Sequence, residues 1–221
     1  MLDRRSLARR TAAVPRILFA AGCLLLFGPS VSAQTPDRYG FVIRRDLDTV
    51  VVESITRTPT RLTSAVDMRG KGMAYIDASL LPDGLVSAFA LRLGDSTAAP
   101  MLAIAFGRDS VTLTQRDRGA QRVASAPGLL PHAEWSVAAA ELVLRRFIAL
   151  NVPSATLSAT AGSPDAMSIQ ASRAGAGAYK LAYPEYTVEL RVDARGAVTG
   201  GCVPGEGITI DRVGAAPTSC F

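Results

Sequence analysis

The chain has 221 residues, 24 of them Lys or Arg against 19 Asp or Glu, with 48% hydrophobic residues and one His. Five Arg and one Asp fall within residues 1–33, so the remainder carries 19 basic and 18 acidic residues and is nearly neutral. A near-neutral balance gives no support to nucleic-acid or anionic-membrane binding, which would want a basic patch, and a single His excludes a multi-histidine zinc site.

In chain order, the first element reads as a signal peptide over 1–33. Arg4, Arg5, Arg9, Arg10 and Arg16 precede an apolar run from Ile17 to Gly28, and Pro29 leads to the small-residue site Val31-Ser32-Ala33. That run is short of the ~20 residues a membrane-spanning helix needs, so cleavage after Ala33 and a periplasmic or secreted protein are expected, with no stable transmembrane segment in the mature chain. Arg4-Arg5-Ser6-Leu7 has the look of a twin-arginine signal, whereas the very apolar Leu24-Leu25-Leu26-Phe27 favours general secretion. Residues 34–221 then form a single β-rich domain. Its two cysteines, Cys202 and Cys220, are expected to pair as a disulfide in an oxidising compartment.

From Tyr39 to Ser125, short segments of alternating or β-branched character are separated by turns. Phe41 to Arg45 and Thr49 to Arg57 flank Asp46-Leu47-Asp48, and Thr58-Pro59-Thr60 turns the chain again. Pro82-Asp83-Gly84 between Met73–Leu81 and Leu85–Leu93 is the strongest hairpin signal. Leu102, Ile104 and Phe106 alternate with Ala103 and Ala105, and Val111 and Leu113 with Ser110, Thr112 and Thr114.

Glu134 to Leu150 is the one long helix, built of good helix formers with no internal Gly or Pro, and Asn151 with Pro153 stops it. Pro131 suits its first turn. Apolar residues spread around most of its circumference, which implies a helix wrapped by strands; only Glu141 and Arg145 define a wet stripe. Beyond it, Ala155 to Thr160, Met167 to Ser172, Tyr179 to Tyr183 and Tyr186 to Val192 read as strands, the last with Glu189 turned outward. Ala197 to Gly200 and Ile208 with Ile210 complete the series. The fold class is mainly β: an antiparallel meander, as a half-barrel, barrel or sandwich, packed around one long α-helix.

The residues eliminate most chemistries. There is no G-x-S-x-G elbow, no phosphate-binding loop and no CxxC, and Gly175-Ala176-Gly177 lacks the strand and helix of a dinucleotide site. No metal set, cofactor or catalytic group is assigned. His132 as a base to Ser136, or Glu134, Asp46 and Asp48 as carboxylates, would serve a hydrolase; a lone His before a helix and acids beside a turn ordinarily serve structure. Arg146 falls inside the helix's apolar arc, as a snorkelling side chain or as the anion anchor of a cavity. Trp135, Phe147, Phe89 and Phe106, with Tyr183, are the aromatic candidates to line such a cavity.

Three segments, YGFVIRRDLDTVVVESITRTPTRL, LLPDGLVSAFAL and LLPHAEWSVAAAELVLRR, carry a resemblance to exported bacterial proteins of unknown function. The resemblance implies a β-rich exported domain and transfers no site. A looser architectural analogy is to periplasmic half-barrels that hold a helix in a concave sheet and carry lipids. The expected function is non-enzymatic binding of an apolar or amphipathic ligand, or of a partner, between sheet and helix. The alternatives are a carboxylate- or His-based hydrolase and a structural component of the cell envelope.

Overall fold

The computed structural model describes residues 35–125, 128–163 and 165–217. The expected signal segment and Cys220 lie outside the described residues. The alternating segments before the helix form β1 (Asp37–Arg45), β2 (Asp48–Arg57), β3 (Arg61–Met68), β4 (Gly72–Leu80), β5 (Val86–Leu93), β6 (Leu102–Phe106), β7 (Ser110–Gln115) and β8 (Gly119–Ala124). A two-residue β9 (Leu130–Pro131) precedes α1 (Val137–Leu150). After it come β10 (Ser154–Thr160), β11 (Met167–Gly175), β12 (Ala178–Ala182), β13 (Thr187–Val192), β14 (Val198–Val203) and β15 (Ile208–Arg212).

All fifteen strands belong to one sheet in the order β8-β7-β6-β5-β4-β3-β2-β1-β15-β14-β13-β12-β11-β10-β9. Neighbours along the chain pair antiparallel, as short turns demand. β9 lies parallel to β10, through Leu130 opposite Ala159 and Pro131 opposite Thr160. The chain thus runs out along one meander from β1, starts the other at its far end, and returns to set β15 against β1, with Ile43 opposite Ile210. Residues near the two ends of this sheet also meet, since Gln115 on β7 donates through Nε2 to the Gly162 carbonyl at 2.8 Å.

The Pro82-Asp83-Gly84 turn shows why local sequence chemistry works here. Asp83 accepts the Leu85 N–H at 3.1 Å, and Gly84 takes a φ of +79° that side chains resist. A Cβ on Gly84 would also lie 3.2 Å from the Arg145 carbonyl, so the turn can press against α1.

The helix starts three residues later than its composition implies. Ser136 is extended (φ −113°, ψ 120°) and caps the helix by accepting the Ala139 N–H. Trp135 before it has a left-handed φ of 60°, and Pro131 belongs to β9 instead of a first helical turn. The C-terminus ends on Asn151 in the left-handed region, its N–H bonded to the Ile148 carbonyl. Val137, Ala138, Leu142, Val143, Leu144 and Phe147 are buried in a core shared with residues of the surrounding strands. Two expectations about wet positions fail. Glu141 is fully buried rather than solvated, and Glu189 is 2% exposed, paired with Lys180 at 2.6 Å on the neighbouring strand. Charged partners contributed by other strands, invisible to a wheel or to alternation, make both burials tolerable.

Candidate ligand site

The site begins with charge on the inner face of β2. Alternation puts Glu53 and Arg57 on the same side as the buried Val51 and Ile55. Glu53, with no exposed surface, meets the start of α1: one carboxylate oxygen accepts the Val137 N–H at 2.6 Å. The other takes the Ser136 hydroxyl at 2.8 Å, the Ser64 hydroxyl at 2.6 Å and the Ala138 N–H at 3.2 Å. A carboxylate at a helix N-terminus faces the positive end of the helix dipole and unsatisfied N–H groups. Burial raises the Glu53 carboxyl above its ordinary value, and these four hydrogen bonds pull against that rise.

One turn further along, Arg57 reaches Glu141 at 2.8 Å, and the Tyr39 hydroxyl donates to the same carboxylate at 2.7 Å. Burial, reinforced by the Glu141 charge, pushes the Tyr39 phenol well above its usual value. Glu53 and Arg57 therefore fasten α1 to β2 at two heights.

Beside this clamp the helix stands off from β13, β14, β15 and β1, and a cavity of about 270 Å³ opens between them. Ile43, Val188, Leu190, Val203, Ile208 and Ile210 form its apolar floor, and Val137 and Ala140 are the helix's contribution. One wall is a row of rings. His132 lies 4.9 Å from Tyr183, and Tyr183 stacks on Tyr186 at 4.8 Å between centroids. Arg45, Glu134, Trp135, Glu185 and Glu206 complete the lining with exposed side chains. The Arg45 guanidinium sits 5.6 Å from the Trp135 ring centroid and 3.7 Å from Glu206. Burial lowers the His132 imidazole, with Glu134 opposing. The Tyr186 phenol is pushed up to about 12, by burial first and then by the charges of Glu134 and Glu185.

Of the expected cavity residues, the structure brings Trp135 and Tyr183 to this site. Arg146, Phe147, Phe89 and Phe106 lie elsewhere. Arg146 extends to the Asp83 carbonyl at 3.4 Å, which accounts for a charge within the apolar arc. Phe147 is sealed in the core, edge-on to Tyr179 at 6.0 Å. Phe89 is 1% exposed on β5, and Phe106 is half-buried at the end of β6.

The catalytic alternatives divide: His132, Glu134 and Ser136 line this cavity, whereas Asp46 and Asp48 do not. The Ser136 hydroxyl donates to Glu53, Asp46 sits in the β1–β2 turn with its N–H on the Gly207 carbonyl, and Asp48 is exposed where β2 begins. Among the described residues no three His, Cys, Asp or Glu side chains cluster as a metal site would require, and no helix is long and apolar enough to cross a membrane. Sequence reasoning missed Glu53, Arg57 and, apart from Glu134, the charged lining. The signal for the first two was present, as charged residues in the inward phase of Val51-Glu53-Ile55-Arg57. None existed for Arg45, Glu185 and Glu206, which come from the end of β1 and from two separate turns.

Fold and site together define a mainly β protein in which α1, the one helix among the described residues, borders a cavity of about 270 Å³. A crystal structure of a DUF1089 family protein from Pseudomonas aeruginosa is similar, with a TM-score of 0.52 at 19% identity over 72% of this chain and 91% of that one. A β-barrel-like protein of the domain of unknown function DUF1849 from Brucella abortus gives a TM-score of 0.43 at 9% identity, over 80% of this chain and 94% of that one. No family model and no curated protein matches the chain. The first likeness shows a shared fold and carries over no residue's role.

Proposed function

We propose that this protein is a non-enzymatic exported domain that binds a small apolar or amphipathic molecule between α1 and the strands β13, β14, β15 and β1. The observation that carries this reading is the cavity itself: an apolar floor, a wall of stacked rings and charged side chains confined to exposed positions, the usual composition of a small-molecule site. Its volume of about 270 Å³ lies just under the ~300–1,000 Å³ of drug-sized sites, which favours a short ligand. In this reading the sheet acts as a barrel-like wrap that excludes water from the inner end of the cavity, and the Glu53 clamp keeps the helix from settling into it.

Export and a Cys202–Cys220 disulfide belong to the same proposal. Cys202 is buried on β14, where a link to the last residues would pin the chain end to the sheet and stabilise the fold by about 3 kcal/mol in the chain-entropy account.

The test is native mass spectrometry of the protein recovered from its own cell envelope. A small molecule is expected to accompany the folded chain and to leave on denaturation. Its intact mass should start at Gln34 and rise by two hydrogens on reduction. A ligand-free spectrum, with a melting temperature unmoved by added octanol, would reject the ligand reading.

A further inference from the structure

The cavity has a sign as well as a shape. Three carboxylates line it, Glu134, Glu185 and Glu206, against one cation, Arg45. Arg45 is already engaged, 3.7 Å from Glu206 and 5.6 Å from the centre of the Trp135 ring. His132 adds no positive charge near pH 7, since burial lowers its imidazole below the ordinary value. The balance is two negative charges in excess around an apolar interior.

An anionic head group entering here would meet carboxylates whose one neighbouring counter-charge is shared. A cationic head group would meet the carboxylates and the electron-rich rings of Trp135 and Tyr186, which attract cations by their quadrupoles. Arg45 over Trp135 is an instance of that attraction already within the site.

Resting on the ligand reading above, we infer that the ligand is a cationic amphiphile: an ammonium group, primary or quaternary, attached to a short apolar tail. The tail occupies the floor formed by Ile43, Val188, Leu190 and Ile208, and the ammonium stays at the exposed edge among Glu134, Glu185 and the aromatic faces. Charge selects the ligand, and apolar contact holds it.

The chain contains one tryptophan, Trp135, so its fluorescence reports on this site alone. The experiment titrates that fluorescence with octyltrimethylammonium, octanoate and octanol, all below micelle formation. Octyltrimethylammonium is expected to bind on the order of tenfold more tightly than octanoate, with octanol between them. In the double variant Glu134→Gln/Glu185→Gln, which changes two exposed side chains and should keep the wild-type circular dichroism, the preference should fall to about threefold or less. Octanoate or octanol binding as tightly as the ammonium, or a double variant that keeps the full preference, overturns the inference while leaving the site standing. If none of the three binds, by fluorescence or by calorimetry, the ligand reading fails and this inference fails with it.

Discussion

On one flank of α1, Ala138 and Leu142 are sealed into the core with no exposed surface. On the other, Val137 and Ala140 border a void of about 270 Å³. The same helix, with the same apolar composition on both sides, is packed solid in one direction and held clear in the other. Hydrophobicity alone would close the gap, because burying apolar surface is favourable at about 25 cal/mol per Å². What opposes closure is directional: the carboxylate of Glu53 fixes the first turn of the helix through backbone N–H groups, and Arg57 with Tyr39 fixes Glu141 one turn on. Hydrogen bonds have geometry where apolar contact has none, so a few buried polar groups can hold a cavity open.

The largest test of that contrast removes the fastening. Glu53→Ala leaves two helix N–H groups and two hydroxyls without their acceptor in a dry site, and should cost about 3 kcal/mol or more in urea denaturation. Glu53→Gln restores an acceptor but adds an amide donor among donors, so it should be destabilising by less than the alanine variant. A Glu53→Ala protein as stable as wild type would show that the clamp does not position the helix.

A smaller effect compares the flanks directly. Ala138→Leu must force three extra carbons into filled space and should cost about 1–3 kcal/mol. Ala140→Leu extends into the void, and its stability should stay within about 0.5 kcal/mol of wild type. Equal penalties at the two positions would mean that the cavity closes in solution.

The smallest effect is in the pH dependence. Burial lowers the folded-state value of His132, so below about pH 6.5 the unfolded chain takes up a proton that the folded chain refuses. Stability present above that pH is lost as the pH falls, by at most about 1.4 kcal/mol per unit from this one group. His132→Phe keeps the ring beside Tyr183 and should flatten the loss between pH 7 and 5. An unchanged slope would remove His132 as its source.

Much of the architecture was legible in the sequence. Asp83-Gly84 marked a hairpin, Leu102-Ile104-Phe106 and Val111-Leu113 marked strands, and the uninterrupted run ending at Asn151 marked the helix. The boundary before Val137 was not legible, because Glu134 and Trp135 suit a helix well enough. Only the cap at Ser136, held by a residue 83 positions earlier, sets the start. The site was read in part. Trp135 and Tyr183 were aromatic candidates that reach the cavity, whereas Phe89, Phe147 and Phe106 are equally aromatic and do not line it. Nothing in the local pattern separates the two groups.

The sequence by itself determined most of the strands, their turns and an all-round apolar helix, because period-two alternation, Asp-Gly turns and helix propensity are properties of neighbours along the chain. The tertiary structure alone decided that Glu53 caps a helix, that Glu141 is buried, and that Arg45, Glu134, Glu185 and Glu206 surround one opening. Those outcomes depend on the pairing of β1 with β15, which joins the two meanders and brings together side chains far apart in sequence. A contact of that range is specified by the register of the whole sheet, which no short window of residues contains.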